Sequence, residues 1–297
     1  MAMYTSDGDL LIVPQTGVLL VTTEYGKLRV SPKEVLVIPR GCKFSIDIGD
    51  SAVPGKARGW VAELFTGHFV IPDLGPIGAN GLANEREFAA PVAAFEDDHG
   101  KGNKWTIISR FCGKTFSYEQ VYSPFNVVAW HGNYYPYKYD LTKFNTMGSI
   151  SFDHPDPSIF TVLTAQSDTP GQAVLDFVVF PPRWLAAQDT FRPPYYHRNT
   201  MSEYMGNISG TYDAKEAGFA PGASSLHSCM AGHGPEAEVF TKASNADTSR
   251  PGFTGGDSYA FMFETCYLLK LTDYAVNTGK DKDYRKCWQS LPKQFKK

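Results

Sequence analysis

The sequence predicts a mainly β protein, and three observations carry that expectation. Short apolar runs recur between residues 10 and 48, cut every few positions by turn-forming residues. The chain holds 27 Gly and 20 Pro, a composition that interrupts helices and suits many short strands. Aromatic residues make up 14% of it, and these side chains fit half-buried strand surfaces.

In chain order, strands are predicted at residues 10–13, 17–22, 26–30, 34–38 and 44–48. The breaks between them fall at Pro14-Gln15, Glu24-Tyr25, Ser31-Pro32 and Pro39-Arg40-Gly41. Two long aperiodic stretches follow, 71–84 and 123–140, read as functional loops or as surface packed on another subunit. The glycine-rich run 75–81 lacks the Lys-Ser/Thr pair of a phosphate cradle, so it is read as shaping a tight loop. Strands return at 149–152, 159–164, 175–180 and 259–263. Tyr284, Cys287, Trp288 and Leu291 then recur at helical spacing and predict a short amphipathic helix closing the chain. The end of the Tyr-rich loop near residue 140 sets the expected boundary. Residues 1–142 form a β-domain without a metal site of its own, and 143–297 form a metal-binding domain.

Composition also excludes classes of function. A net charge of −3 supplies no basic field, so nucleic acid is not an expected partner. No apolar stretch approaches the ~20 residues of a membrane helix. Cys42, Cys112, Cys229, Cys266 and Cys287 are scattered without a CxxC pair, which argues against a disulfide framework or a cysteine-built zinc site. The first residues show no basic segment followed by an apolar run, and the cytoplasm is the expected compartment.

Chemistry concentrates in the histidines. His197 opens the pattern His197-Arg198-Asn199, three residues, Glu203, six residues, Gly210. With a further imidazole downstream, two His and one carboxylate would cover one face of an octahedral Fe(II) and leave three positions open. An isolated His-x5-Glu spacing is more often a surface pair. Here Pro193-Pro194-Tyr195-Tyr196 precede it, and a second segment from Pro221-Gly222 to His233 holds two more His. His227 and His233 compete for the third ligand position, and spacing does not choose between them. His154, between Asp153-Asp156 and pinned by Pro155 and Pro157, reads equally as a turn-capping residue or a general base. His131 is read as structural, and His68 and His99 as bystanders without partners. Tyr212 is either a hydrogen-bond donor into the site or an ordinary strand tyrosine, while Tyr195 and Tyr196 are read as packing. Arg183, Arg192 and Arg198 are more often surface ion pairs than carboxylate binders.

The strand ending at Ile38-Pro39-Arg40-Gly41 resembles a cupin barrel strand, although Cys42-Lys43-Phe44 follow where a metal-ligating His usually stands. The His197-to-Gly210 pattern is similar to the first cupin motif, with Asn199 in place of its second His, and Pro221-Gly222 before His227 is similar to the second. Longer runs are more specific: Asp73 to Asn84, Ser123 to Tyr134, Phe191 to Asn199, Ser225-Leu226-His227-Ser228 and His233-Gly234-Pro235 resemble the homogentisate 1,2-dioxygenases. The resemblance runs over nearly the whole chain. It implies a cupin-like, jelly-roll β-barrel architecture with long loops. It also implies an Fe(II)-dependent, extradiol-type opening of homogentisate by O2 to maleylacetoacetate, in tyrosine and phenylalanine catabolism. By the same resemblance, iron is held by His197, Glu203 and His233, His227 lines the pocket and His154 is the acid/base residue. Tyr212 and His233 meet the substrate carboxylate, and the protein is a homo-oligomer, trimer or hexamer. Members of the family are longer at the N-terminus, so this chain is expected to lack that part. Two competing readings are a non-catalytic cupin-like binding protein and a cupin isomerase using another divalent metal.

Overall fold

The structure, a computed structural model, describes residues 1–73, 82–127, 129, 132–146 and 156–295. Contacts divide the chain into two units: Met1–Pro72 with Ala83–Phe144 and Leu163–Leu175, and Asp73–Leu82 with Asn145–Val162 and Asp176–Lys297. The predicted strand at 149–152, the glycine-rich run 75–81, His131 and His154 lie outside the described residues.

The first unit contains β1 (Ala2–Thr5), β2 (Asp9–Thr16), β3 (Leu19–Thr23), β4 (Gly26–Val30), β5 (Glu34–Ile38), β6 (Phe44–Ile48), β7 (Arg58–Leu64), β8 (Trp105–Phe111), β9 (Lys114–Gln120) and β10 (Tyr137–Asp140). Sheet order is β4-β3-β6-β1-β8-β9 in one layer and β10-β5-β2-β7 in the other. In β4 the buried positions alternate, Leu28 and Val30 inward and Lys27 and Arg29 outward, as a strand covered on one face requires. The inner faces share one core: Leu10, Ile12, Leu36 and Ile38 from the second layer meet Val21, Leu28, Val30 and Phe44 from the first. That makes a two-layer sandwich.

Three features of this unit depart from the sequence expectations. The stretch 123–140 is not irregular throughout, because β10 pairs antiparallel with β5. The β8–β9 hairpin was missed. Its two-residue turn has Cys112 at φ 49° and Gly113 at φ 70°, the backbone of a type I′ turn, without the usual Asn-Gly or Asp-Gly. The carboxylate that steadies it comes from Asp7, which accepts the Cys112 and Gly113 N–H groups at 2.8 and 3.3 Å. His68 does have a partner: its Nδ1 lies 3.0 Å from Oδ2 of buried Asp9. The other oxygen of Asp9 accepts from the Tyr134 hydroxyl at 2.6 Å and the Arg40 N–H at 2.9 Å.

Past β10 come β11 (Thr161–Gln166), β12 (Ala173–Phe180), β13 (Arg183–Leu185), β14 (Ser202–Ser209), β15 (Ser224–His227), β16 (Gly252–Thr254) and β17 (Tyr259–Thr265), with helices α1 (Ala237–Ser244) and α2 (Asp273–Asn277). In the second unit β17 is flanked by β12 and β14, and β15 follows β14. β14, Ser-Glu-Tyr-Met-Gly-Asn-Ile-Ser, carries few β-formers and no clean apolar alternation, so it escaped the sequence reading. Burial between two neighbours overrides that weak local preference.

The closing helix is shorter than expected. Tyr284–Trp288 forms a 3-10 turn that stops before Leu291, where Pro292 disfavours helical backbone in the residue before it. The spacing still picked the inward face, since Tyr284, Cys287, Trp288 and Leu291 are all half-buried. The predicted fold class holds: the chain is mainly β in several sheets, with few and short helices. No helix among the described residues is long and apolar enough to cross a membrane.

Burial, reinforced by the Glu24 charge, pushes the Cys42 thiol up to about 12, whereas Cys112 is exposed at its hairpin tip. Only a thiolate attacks a disulfide reagent. Native protein treated with a chromogenic aromatic disulfide at mildly alkaline pH is therefore expected to modify Cys112 and spare Cys42 until denaturant is added. Peptide mapping that finds Cys42 modified in the native state would contradict the packing described.

Candidate metal centre

The centre is assembled from one loop, one strand and a second loop. His197 and His233 exchange backbone hydrogen bonds in both directions, N–H to carbonyl at 2.9 Å each way. In such an antiparallel pair both side chains point to the same side, and the two imidazoles meet edge-on with 4.3 Å between centroids. Each ring is then oriented by the backbone of its own loop: His197 Nδ1 lies 2.6 Å from the Tyr195 carbonyl and His233 Nδ1 lies 2.9 Å from that of Ala231. Both Nε2 atoms are left facing Glu203. They lie 3.8 Å (His197) and 3.0 Å (His233) from its two oxygens.

Period-two alternation places the rest. Glu203 on β14 is directly opposite His227 on β15 and Glu264 on β17, so one row across three strands reads His227, Glu203, Glu264. The next row on that face reads Ser225, Met205, Met262. The Pro221-Gly222 turn that delivers β15 has Gly222 at φ 85° and closes with Ala223 N–H on the Ala220 carbonyl, a type II arrangement.

A buried carboxylate is costly unless it is paired, and Glu203 is 5% exposed. Burial pushes its pKa up, but the neighbouring His197 imidazole and the hydrogen bonds from His233 and Asn199 outweigh that and hold it well below the usual carboxylate range. The Asn199 amide donates to Glu203 Oε1 at 2.7 Å and to Glu264 Oε1 at 3.2 Å. Glu264 goes the other way, pushed up to about 7 by burial and then by the Glu203 charge. His227 stacks on His233 at 4.4 Å, and burial first, the neighbouring imidazole second, lower it to about 4.

These side chains form the polar end of a cavity of about 460 Å³ with a mostly apolar wall that includes Phe160, Phe180, Phe219, Met205 and Met262. That volume suits a small organic molecule. Tyr212 also lines it, with its phenol raised by burial. Lys215 lies on the same wall, held by Glu236 at 3.1 Å and flanked by Tyr284 and Trp288. Trp288 in turn donates to the Gly234 and Pro235 carbonyls, which ties the closing turn to the segment behind His233.

Of the residues singled out in the sequence, the structure brings His197, Glu203 and His233 together, with one donor atom from each within 4.8 Å of the others. His227 is beside them and Tyr212 is on the cavity wall. Arg183 is held by Asp213 at 2.9 Å, and Arg192 donates to the Ala187, Thr248 and Arg250 carbonyls. Glu264 and Lys215 were missed. The available signal for Glu264 was an acid two residues after Met262 at the end of an apolar strand; nothing local marks Lys215.

A buried carboxylate with two convergent imidazoles at the end of an apolar cavity has the donor set of the two-histidine, one-carboxylate non-haem iron class. Residues 1–141 match the family described as homogentisate 1,2-dioxygenase N-terminal, and residues 142–295 match homogentisate 1,2-dioxygenase C-terminal. The chain belongs to the homogentisate 1,2-dioxygenase family. Its activity is that of an iron-dependent ring-cleaving dioxygenase, converting homogentisate and O2 to maleylacetoacetate. The matches give no support to a missing N-terminal part. Among solved structures, the E. coli protein Ylba aligns at 7% identity and TM-score 0.28, over 90% of this chain and 72% of that one. A protein of unknown function from Pseudomonas syringae pv. tomato aligns at 11% identity and TM-score 0.24, over 89% and 77%. Overlaps this low bear on neither fold nor activity.

The loop carrying His233 depends on a glycine. A Cβ at Gly234 would lie 2.3 Å from Cδ1 of Tyr196, whose hydroxyl donates to the Pro235 carbonyl at 2.5 Å. Gly234→Ala is expected to destabilise the metal-free protein by about 1–3 kcal/mol through overpacking. Urea denaturation would show it, and an unchanged midpoint would mean that Tyr196 does not pack there.

Proposed function

We propose that His197, Glu203 and His233 hold Fe(II), that the substrate carboxylate is met by Tyr212, which donates to it, and by His233, which lies against it as a ligand of the same metal, and that His154 is the acid–base residue. The observation that carries the metal reading is the convergence of the three donor atoms within 4.8 Å. The donor chemistry fits: two imidazoles with Nδ1 committed to carbonyls, each able to offer Nε2 to a metal once that nitrogen gives up its proton, and one buried carboxylate suit Fe(II), while calcium would want more oxygens. On this reading residues 1–142 are a β-domain without a metal, and 143–297 the iron-binding domain. The bound iron supplies Lewis acidity and a route for electrons between an electron-rich ring and dioxygen.

The chain's own groups do the rest. Phe160, Phe180 and Phe219 pack the aromatic ring and exclude water. Tyr212, kept protonated by burial, donates a hydrogen bond to the carboxylate of the side arm. His227 lines the pocket beside His233. His154 takes the phenolic proton, making the ring a better electron donor. The resemblance over Phe191 to Asn199 and around His233 supports the ligand assignment, and the same family resemblance supports the role of His154. We also assign the protein to the cytoplasm as a homo-oligomer, a trimer or hexamer. Exposed Leu268, Leu271 and Tyr274 are surface that a second copy could cover.

Anaerobic reconstitution with Fe(II), followed by oxygen uptake and product absorbance with homogentisate, tests the assignment. Glu203→Ala is expected to lose iron. His154→Phe is expected to keep the iron of the native protein while turnover falls about 10²–10⁴-fold, the range for a lost acid–base group. Native turnover in His154→Phe would remove that residue from the reaction. Light scattering measures the assembly.

A further inference from the structure

The sequence pattern has an amide, Asn199, where the similar cupin motif carries a second imidazole. The structure gives that amide a position it could hold only with help. Its Oδ1 accepts the Met201 N–H at 2.8 Å, and its backbone carbonyl accepts the Met230 N–H at 2.7 Å. Backbone and side chain of Asn199 are thus each held by one bond, and the Met201 bond orients the amide so that Nδ2 faces the carboxylates. An amide nitrogen has two hydrogens. One goes to Glu203 Oε1 at 2.7 Å and the other to Glu264 Oε1 at 3.2 Å.

Glu264 is otherwise hard to account for. It stands directly opposite Glu203 on the adjacent strand, on the same face. Like charges in that relation are destabilising. An apolar residue would complete the wall that Met262 and Met205 begin. Retaining a carboxyl group there makes physical sense if its oxygen is needed as an acceptor. With Glu264 holding one Asn199 hydrogen, the other is aimed at Glu203. One oxygen of Glu203 is thereby occupied, and the second is left facing His233.

We propose that Asn199 and Glu264 are a positioning pair that fixes the Glu203 carboxylate so that it offers a single oxygen to the metal. The inference rests on the reading of His197, Glu203 and His233 as the metal ligands. It gives Asn199 the opposite role from a fourth ligand: the amide withholds an oxygen rather than supplying a nitrogen. Outer partners of this kind typically change metal affinity about 10- to 100-fold when removed.

The test uses the full chain and four variants: Asn199→Ala, Glu264→Leu, Glu264→Gln and Glu203→Ala. Fe(II) affinity is read anaerobically by competition with a chromophoric chelator, and ligand geometry by electron paramagnetic resonance of the Fe(II) protein exposed to nitric oxide. Asn199→Ala and Glu264→Leu are expected to weaken Fe(II) binding about 10- to 100-fold and to alter the resonance. Glu264→Gln, whose amide oxygen still accepts from Asn199, is expected to stay close to the native protein in both. Melting of the metal-free variants shows which keep the fold, and Asn199→Ser replaces Asn199→Ala if the latter does not. Native affinity and resonance in the folded Asn199 variant and Glu264→Leu would overturn the proposal, as would a Glu264→Gln as impaired as Glu264→Leu. Failure of the underlying ligand reading looks different: Glu203→Ala would then retain iron.

Discussion

A carboxylate removed from water has to be met by donors, and the local structure around Glu203 is arranged to meet it. The residue sits near the start of β14 with almost no exposure. Its partners come from three places: His197 on the preceding loop, His233 on a later loop and Asn199 between the first loop and the strand. Remove that convergence and the burial becomes a penalty of several kcal/mol. The reciprocal backbone bonds between His197 and His233 are what make the convergence geometric rather than accidental. They cost no side-chain freedom and set both imidazoles on one side.

The supports of this arrangement extend outward in a definite order. Tyr196 fills the space that the missing side chain of Gly234 leaves, and its hydroxyl reaches Pro235. Trp288, from the closing turn, donates to the same short stretch. Lys215, which also reaches Cys287 at 3.2 Å, ties that turn to the cavity wall. The C-terminal turn therefore holds the loop that bears an imidazole.

The legibility of the fold in the sequence followed local signal strength. β3 to β6 carry apolar runs bounded by turn residues and lie within two residues of their expected limits, whereas β2 continues through Pro14-Gln15, the expected break, as far as Thr16. β14 was not legible, because Gly206 and Asn207 weaken its pattern and its stability comes from β15 and β17. The β8–β9 hairpin was hidden for a similar reason, since Asp7 stabilises its Cys-Gly turn from a distant part of the chain. At the centre, the His197–Glu203 spacing was visible, but nothing local separates His227 from His233. The difference is non-local: one imidazole is paired through the backbone with His197, and the other is carried on β15. Glu264 was invisible because its significance comes only from the register that sets it beside Glu203.

That register has a consequence for how the sequence can change. His227, Glu203 and Glu264 share a face only because three strands are aligned residue for residue from Glu203 to Gly206, ahead of the irregularity at Asn207–Ser209. Side chains in a strand alternate, so a shift by one position turns every group on it to the opposite face. An insertion or deletion of one residue between Glu203 and Gly206 would send Glu203 away from the cavity and bring Tyr204 or Ser202 toward it, without altering a single side chain. Length is therefore constrained here more tightly than composition. Loops between the strands can drift in size, while the span from Asn199 to Gly206 cannot lose or gain a residue and keep its chemistry.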